Sequence, residues 1–132
     1  MMREILFRGK RKDNGEWVQG YLYRSSEKLN PFIMLKSEKG ASYEVNADTV
    51  GQYTSLTDKN GTKIFEGDIV KYGDTVHNVV FEQRNGTAYF GLVYSTLETL
   101  SFGYYQDLKQ IEVIGNIYDN PELVGGEENE RY

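Results

Sequence analysis

The chain has 132 residues, a formal net charge of −5, no cysteine and one histidine. A chain of this length is expected to form one domain, or two very small lobes, with a core that needs no cross-links. The lack of cysteine excludes disulfide scaffolds, thiol catalysis and cysteine-type zinc sites, and a single histidine excludes a multi-histidine metal site. We therefore expect no cofactor and no metal.

The beginning of the chain is basic and only briefly apolar. The segment MMREILFRGKRKDNGEW has three consecutive apolar residues after its first charges. This pattern predicts neither a secretory signal nor a membrane span, so a cytoplasmic location in the host cell is expected. Residues 1–12 carry a net charge of +4, whereas the last fourteen residues carry −4. The basic run RGKRK is interpreted first as the solvated side of a strand and second as a patch that contacts phosphate.

Three Asn-Gly pairs predict tight hairpin turns, at Asn14-Gly15, Asn60-Gly61 and Asn85-Gly86. Both residues tolerate the positive φ that two-residue hairpin turns require, and each pair is flanked by β-branched or aromatic runs. The first turn joins ILFRGK to WVQGYLY, and the third joins TVHNVVFEQ to AYFGLVY. The second leads through a further tight corner at Glu66-Gly67-Asp68 into IVKY.

Additional strands are predicted at PFIML, SYEV, TVGQYT and IEVIGNIY, and short helical segments at residues 104–109 and 121–124, the latter capped by Asn120. The predicted fold class is all-β, with antiparallel strands in small barrel-like sheets joined by Asn-Gly turns and at most one or two short helices. Residues 1–124 are expected to form one β-rich domain, which divides naturally into an N-terminal sheet (1–53) and a C-terminal small barrel (54–124). Residues 125–132 are expected to form a flexible acidic tail.

A calcium-binding loop of the EF-hand type, beginning at Asp58, is the most specific metal site that the sequence suggests. An EF-hand loop requires oxygen ligands at its third and fifth positions, glycine at the sixth and glutamate at the twelfth. Asn60 and Thr62 stand at the third and fifth positions, but Lys63 and Ile69 stand at the sixth and twelfth. The glycine and the glutamate that an EF-hand loop requires are therefore both missing. We predict that this segment forms a hairpin turn and does not bind calcium.

The histidine and one pair of acids are the remaining candidates for catalysis. His77 alternates with Val79 and Phe81, so a strand would turn it towards the apolar side, where a hydrogen-bonded core or edge histidine is expected. Glu66 and Asp68 are separated by one glycine, and their expected role is to bond their own turn backbone. Without a nucleophile beside His77, no enzyme is predicted.

Aromatic residues are concentrated on one side of the second predicted strand. Trp17, Tyr21 and Tyr23 alternate with Val18 and Leu22, so the strand presents a face of rings and an aliphatic face. Only one of these faces can belong to a single core. The other is expected to contact a second sheet, another subunit or a ligand, with a second sheet as the first expectation.

Three segments, in order and spacing, resemble the YopX family of phage and prophage proteins: REILFRGKRKDNGEWVQGYL, VGQYTSLTDKNGTKIFEGDIVKY and IEVIGNIYDNPELV. The similarity extends from Arg3 to Val124, and the middle segment is its most specific part. The resemblance implies a compact, mostly β protein of phage or prophage origin whose biochemical role is unassigned. It implies no catalytic residues.

Two function classes follow from these features. The first is a non-catalytic binding or accessory module that acts on a host or phage protein, and the second is a nucleic-acid-associated protein that uses the basic first strand and its aromatic residues. Homo-oligomerisation is left open. The residues expected to provide exposed contacts are Trp17, Tyr21, Tyr53, Glu66 and Asp68. The residues expected in the core are Ile69, Val79, Phe81, Leu92, Val113 and Ile117.

Overall fold

The protein is built almost entirely from β-strands. The computed structural model describes residues 3–35, 40–84, 86–95, 98–102 and 106–124. Its strands are β1 (Phe7–Lys10), β2 (Trp17–Tyr23), β3 (Phe32–Leu35), β4 (Ser42–Glu44), β5 (Gly51–Thr57), β6 (Lys63–Phe65), β7 (Asp68–Tyr72), β8 (Thr75–Arg84), β9 (Thr87–Ser95), β10 (Glu98–Ser101) and β11 (Ile111–Asn116). Single 3-10 turns occur at Ala47–Thr49, Leu108–Gln110 and Pro121–Leu123.

The strands form two antiparallel sheets, with the orders β4-β3-β2-β1-β5-β6 and β10-β9-β8-β7-β11. The predicted all-β antiparallel class is confirmed. Neither order returns to its first strand within the described ranges, so the sheets are open and not closed barrels. No helix in those ranges is long and apolar enough to cross a membrane.

The predicted helical segments are shorter than expected. Of residues 104–109, positions 104 and 105 lie outside the described residues, and the turn at Leu108–Gln110 begins after Asp107, whose carboxylate accepts from the Lys109 amide. Pro121 opens the last turn as predicted, but the Asn120 side chain does not cap it. Its Oδ1 instead accepts from the amide of Asn116 at 3.2 Å. A third turn, at Ala47–Thr49, was not predicted.

The chain divides into two compact units, one ending at Ser55 and the other beginning at Leu56. The division falls inside β5, next to Ser55, which is the sole non-glycine residue with a positive φ (75°) in the described ranges. Each unit is considered by itself below. The expected acidic tail, residues 125–132, and the predicted turn residue Asn85 lie outside the described part of the chain.

In the first unit, the Asn14-Gly15 turn joins β1 to β2 as predicted. Gly15 has a φ of +74°, and its amide donates to the carbonyl of Arg11 at 2.9 Å. The hairpin register pairs Arg8 with Gln19 and Lys10 with Trp17. Ile33 and Val45 are fully buried in this unit. Such aliphatic residues pack against one face of the sheet. Successive side chains of a strand alternate between the two faces, so every second residue of β1 and β2 points to the opposite face.

In the second unit, a buried cluster fills one face of the sheet: Ile64, Val70, Val79, Leu92, Phe102 and Ile111. Burial of Ile69, Val79 and Leu92 confirms their predicted place in the core, whereas Val113 and Ile117 are half-buried. The prediction for Phe81 is wrong, because its side chain is 45% exposed. β7 pairs with β8 only between Thr75 and Asn78, so Phe81 lies beyond the end of β7 and packs edge-on against Phe90.

Candidate functional site

The residues predicted to make exposed contacts fall into three groups. Trp17 and Tyr21 lie on the same face of β2, in the first unit. Tyr53 is in the same unit on β5 but is buried. Glu66 and Asp68 flank a turn in the second unit. The candidate surface is therefore built from the first group, and the others are corrected below.

Cross-strand pairing extends the aromatic side of β2 onto both neighbouring strands. Tyr21 pairs with Met34 and Tyr23 with Phe32 on β3, while Trp17 pairs with Lys10 on β1. Directly paired residues point to the same face of an antiparallel sheet. We call this surface the ring face and define it by Arg8, Lys10, Trp17, Tyr21, Tyr23, Phe32 and Met34.

The centre of the ring face is exposed. Tyr21 is 52% exposed, Tyr23 is 39% exposed and Met34 is 37% exposed. Tyr23 stacks on Phe32, with ring centroids 5.5 Å apart and planes inclined by 20°. Such stacking restrains the two rings relative to each other. The first expectation, that the rings are covered by a second sheet, is wrong for Tyr21 and Tyr23.

Trp17 lies at the basic end of the ring face and is half-buried. The guanidinium carbon of Arg8 is 4.7 Å from the centre of the indole, and the Lys10 ammonium is 5.6 Å from it. Both distances are within the range of cation–π attraction. Two nitrogens of Arg8, Nε and one Nη, are buried from solvent. The indole is therefore occupied by two cations of its own chain.

The remaining charges of the first hairpin are also engaged. The Arg11 guanidinium binds the Asp13 carboxylate through two nitrogens, at 2.9 and 2.7 Å, and stands 4.0 Å from the centre of the Tyr43 ring. The hydrogen bond from Arg11 holds the pKa of Asp13 below its ordinary value. The Lys12 ammonium is 3.8 Å from the Glu44 carboxylate. Much of the basic run RGKRK is thus balanced within the chain.

Two predicted contact residues are corrected by their burial. Tyr53 is 9% exposed, and its amide donates to the carbonyl of Leu6. Burial, with a smaller effect of the Glu4 charge, raises the pKa of its phenol. Asp68 is 2% exposed, and its carboxylate accepts from the Phe65 amide at 2.7 Å. Neither side chain is presented to a partner, because both are buried.

The corner at Glu66-Gly67-Asp68 is a backbone turn, as predicted. Gly67 is buried and has a φ of +95°, a conformation that favours glycine. Its amide donates to the carbonyl of Val79, and its carbonyl accepts from the Ile117 amide, both at 2.9 Å. Glu66 is half-buried. The corner is therefore hydrogen-bonded to β8 and to the residue that follows β11. Of the two acids, Glu66 is the one whose side chain is accessible.

Asp58 has a larger structural role than the sequence indicated. Its Oδ1 accepts from the amides of Asn60 and Thr62, at 2.8 and 2.9 Å, and its Oδ2 accepts from the amide of Val113 at 2.9 Å. Burial alone raises the pKa of this carboxyl, but the three amides, with Lys59 nearby, outweigh it and lower the pKa. The sequence predicts the two local bonds, whereas the bond to β11 lies 55 residues away.

His77 is a hydrogen-bonded core histidine, as predicted. Its Nε2 is 2.7 Å from the Thr75 hydroxyl, and its Nδ1 is 2.9 Å from the carbonyl of Val93. The imidazole also lies against the Tyr94 ring, with centroids 4.1 Å apart. Both ring nitrogens are thus engaged by the protein. In the described ranges, no three His, Asp or Glu side chains form a group that could hold a metal ion.

The comparisons with known proteins agree with this architecture. The family model described as YopX protein matches residues 6–125. Among solved structures, the chain is similar to the crystal structure of protein EF1440 from Enterococcus faecalis, with 26% sequence identity and a TM-score of 0.56. That similarity covers 94% of this chain and 100% of the other. Among curated proteins, none matches.

Proposed function

The chain belongs to the YopX family, and we propose that it is a non-catalytic binding module that docks another protein on the ring face. The observation that carries this proposal is the exposure of Tyr21, Tyr23 and Met34 side by side on one rigid sheet. The engagement of both His77 nitrogens by the protein supports a non-catalytic role.

The residue types of the ring face suit protein recognition. Tyrosine, tryptophan and arginine are enriched among the side chains that dominate binding energy, and methionine is enriched at interfaces. A contiguous group of exposed large apolar side chains is uncommon on a soluble protein and often marks an interaction site. Tyr23 is restrained by its stacking on Phe32, so less conformational entropy is lost when this ring is covered.

A protein partner is favoured over nucleic acid by the state of Trp17 and its neighbours. Stacking of a base requires access to a ring face, but two cations, Arg8 and Lys10, already lie within cation–π distance of the indole. Phosphate binding requires uncommitted cations, but Arg11 is paired with Asp13. The partner surface that fits is apolar where it meets Tyr21 and Met34. A host or phage protein remains the expected source.

The test compares a ring-face variant with a matched control. The variant is Tyr21→Ala with Tyr23→Ala, and the control is Phe81→Ala, which removes another exposed ring from the second unit. Each protein is immobilised, incubated with lysate of the cell that expresses it, with and without nuclease, and the retained proteins are identified by mass spectrometry. The partner is then purified, and its Kd is measured for all three proteins.

We expect the partner to be retained by the wild type and the control, with or without nuclease, and to bind the ring-face variant at least about tenfold more weakly, as loss of two anchors implies. All three proteins must melt at similar temperatures. Equal binding to the ring-face variant would show that this surface is not the site. Capture that disappears with nuclease would favour the nucleic-acid alternative.

A further inference from the structure

A second surface feature, independent of the ring face, is a depression of about 380 Å³ on the second unit. It is lined by Lys59, Lys71, Gly73, Lys109, Gln110 and Glu112. Its size lies at the lower end of the range for small-molecule sites, roughly 300 to 1,000 Å³. Three of the six lining side chains are lysines, which gives the depression a pronounced positive character.

This concentration of lysines contrasts with the rest of the unit. From Leu56 onward the chain contains thirteen acidic and six basic residues, a net charge of −7. Three of those six basic residues line this one depression. The lysines also come from three separate segments, namely the turn after β5, strand β7 and the 3-10 turn before β11. Their convergence is therefore produced by the fold and not by a basic run in the sequence.

The backbone at each lysine is fixed by a hydrogen bond or by pairing. The Lys59 amide donates to the carbonyl of Ile111, and the Lys109 amide donates to the Asp107 carboxylate. Lys71 lies in β7 directly opposite Glu112 of β11. The positions from which the three ammonium groups extend are thus defined before any ligand binds.

The lining combines one acid with three lysines, so its charges do not balance. Glu112 is the one acid in the lining, and its carboxylate is 3.6 Å from the Lys59 ammonium. Within the described ranges, neither Lys71 nor Lys109 takes part in an ion pair. The lining therefore carries a net charge of +2, with Lys71 and Lys109 exposed and available.

We propose that this depression binds the phosphate or diphosphate group of a small molecule. Phosphate oxygens accept hydrogen bonds from several ammonium groups at once, and lysine binds phosphate as a compact point charge. A compact anion contacts only the depression, whereas a nucleic acid would extend over a unit of net charge −7. Gly73, which has a φ of +60°, lets the ligand approach the backbone without a side chain in the way.

The test uses inorganic phosphate, pyrophosphate and a nucleoside diphosphate as probes, titrated calorimetrically into the full chain at low ionic strength. We expect pyrophosphate or the nucleoside diphosphate to bind with a Kd of about 1 mM or lower. The double variant Lys71→Ala with Lys109→Ala should weaken binding about tenfold, because each exposed charge contact contributes a factor of a few. Salt should weaken binding to the wild type, since the Debye length falls to about 10 Å at 0.1 M.

A second variant is expected to strengthen anion binding at the depression. Glu112→Gln removes the one acid of the lining and frees Lys59, so it should tighten pyrophosphate binding by a factor of about three. Arg84→Ala removes a cation at the tip of the β8-β9 hairpin and should leave binding unchanged. Absence of binding by all three probes, or equal loss in Arg84→Ala, would overturn the proposal. So would a short single-stranded oligonucleotide that binds more tightly than pyrophosphate and depends on the same two lysines.

Discussion

Asp58 shows how much of this fold depends on a single side chain. Its two carboxylate oxygens accept hydrogen bonds from three backbone amides, two in its own turn and one in β11. The same turn is closed by hydrogen bonds from the Asp58 amide to the Thr62 carbonyl and from the Gly61 amide to the Asp58 carbonyl. Gly61 has a φ of +81°, which explains why glycine stands there. The turn at Asn60-Gly61, which the sequence predicts, is therefore also bonded to β11, a strand far away in the sequence.

We expect Asp58→Ala to lower the free energy of unfolding by about 2 to 4 kcal/mol, because three backbone amides lose a charged acceptor at once. This exceeds the cost of a single turn hydrogen bond, which was the role that the sequence indicated. The measurement is urea unfolding, with the exposed Asp74→Ala as control. A loss below about 0.5 kcal/mol would contradict the role assigned to Asp58.

The pH dependence of a second variant, Asp58→Asn, gives an independent check. Because the folded state lowers the pKa of Asp58, the carboxylate contributes stability that is fully present above the ordinary value of 3.8 and is lost as pH falls through the folded pKa. The stability difference between the wild type and Asp58→Asn should thus be constant at neutral pH and shrink below pH 3.8. A difference that grows on acidification would contradict the lowered pKa.

At the level of the strands, β10 contains a buried polar group that no described residue satisfies. Thr99 is buried opposite Val93, and its hydroxyl has no hydrogen-bond partner in the part of the chain that the structure describes. Thr49 is equally buried, but its hydroxyl accepts from the Lys10 amide at 2.9 Å and donates to the Asn46 carbonyl at 2.7 Å. The two threonines thus form a natural comparison between an unsatisfied and a satisfied hydroxyl.

We expect Thr99→Val to raise the free energy of unfolding by about 0.5 to 2 kcal/mol, because the near-isosteric methyl removes the cost of burying an unpaired hydroxyl. Thr49→Val should instead lower it by about 1 to 3 kcal/mol, because the Lys10 amide loses its acceptor. Chemical denaturation measures both. A Thr99→Val variant that is less stable than the wild type would show that this hydroxyl is bonded in solution.

The strands were predictable where their signals are local. Asn14-Gly15 defines its hairpin by itself, and the alternation around Tyr21 places the rings on one face. The errors occur where burial depends on distant neighbours. Phe81 has the strand period of a core residue, but β7 ends before reaching it. Tyr53 resembles an exposed ring, yet it is buried, and no pattern near it in the sequence signals that burial.

On the scale of the whole molecule, charge is divided unequally between the two units. Up to Ser55 the chain has nine basic and seven acidic residues, a net charge of +2, whereas from Leu56 onward the net charge is −7. Non-specific binding of polyanions requires cations that neutralise phosphates. The negative net charge of the second unit therefore repels nucleic acid. Selective recognition of a defined anion or of a protein surface is more compatible with this distribution.

No metal is expected to stabilise either unit. The chain has no cysteine and one histidine, and the Asp58 carboxylate, which was the starting residue of the calcium hypothesis, is used by three amides. We therefore expect the same melting temperature with a chelator and with added calcium, zinc or magnesium, measured by calorimetry. A rise of several degrees with one of these ions at micromolar concentration would disprove this expectation.

The turn after β5 also has a consequence for how the protein behaves at high concentration. β11 is the last strand of its sheet, and its outward Val113 amide and Ile111 carbonyl are taken by Asp58 and by the Lys59 amide. An outermost strand with unpaired backbone groups is a template for intermolecular strand addition. Here a side chain and a turn occupy the positions that a foreign strand would take. Loss of Asp58 would therefore reopen a site for self-association in molecules that are still folded, and the protein would aggregate under conditions in which stability alone predicts that it stays in solution.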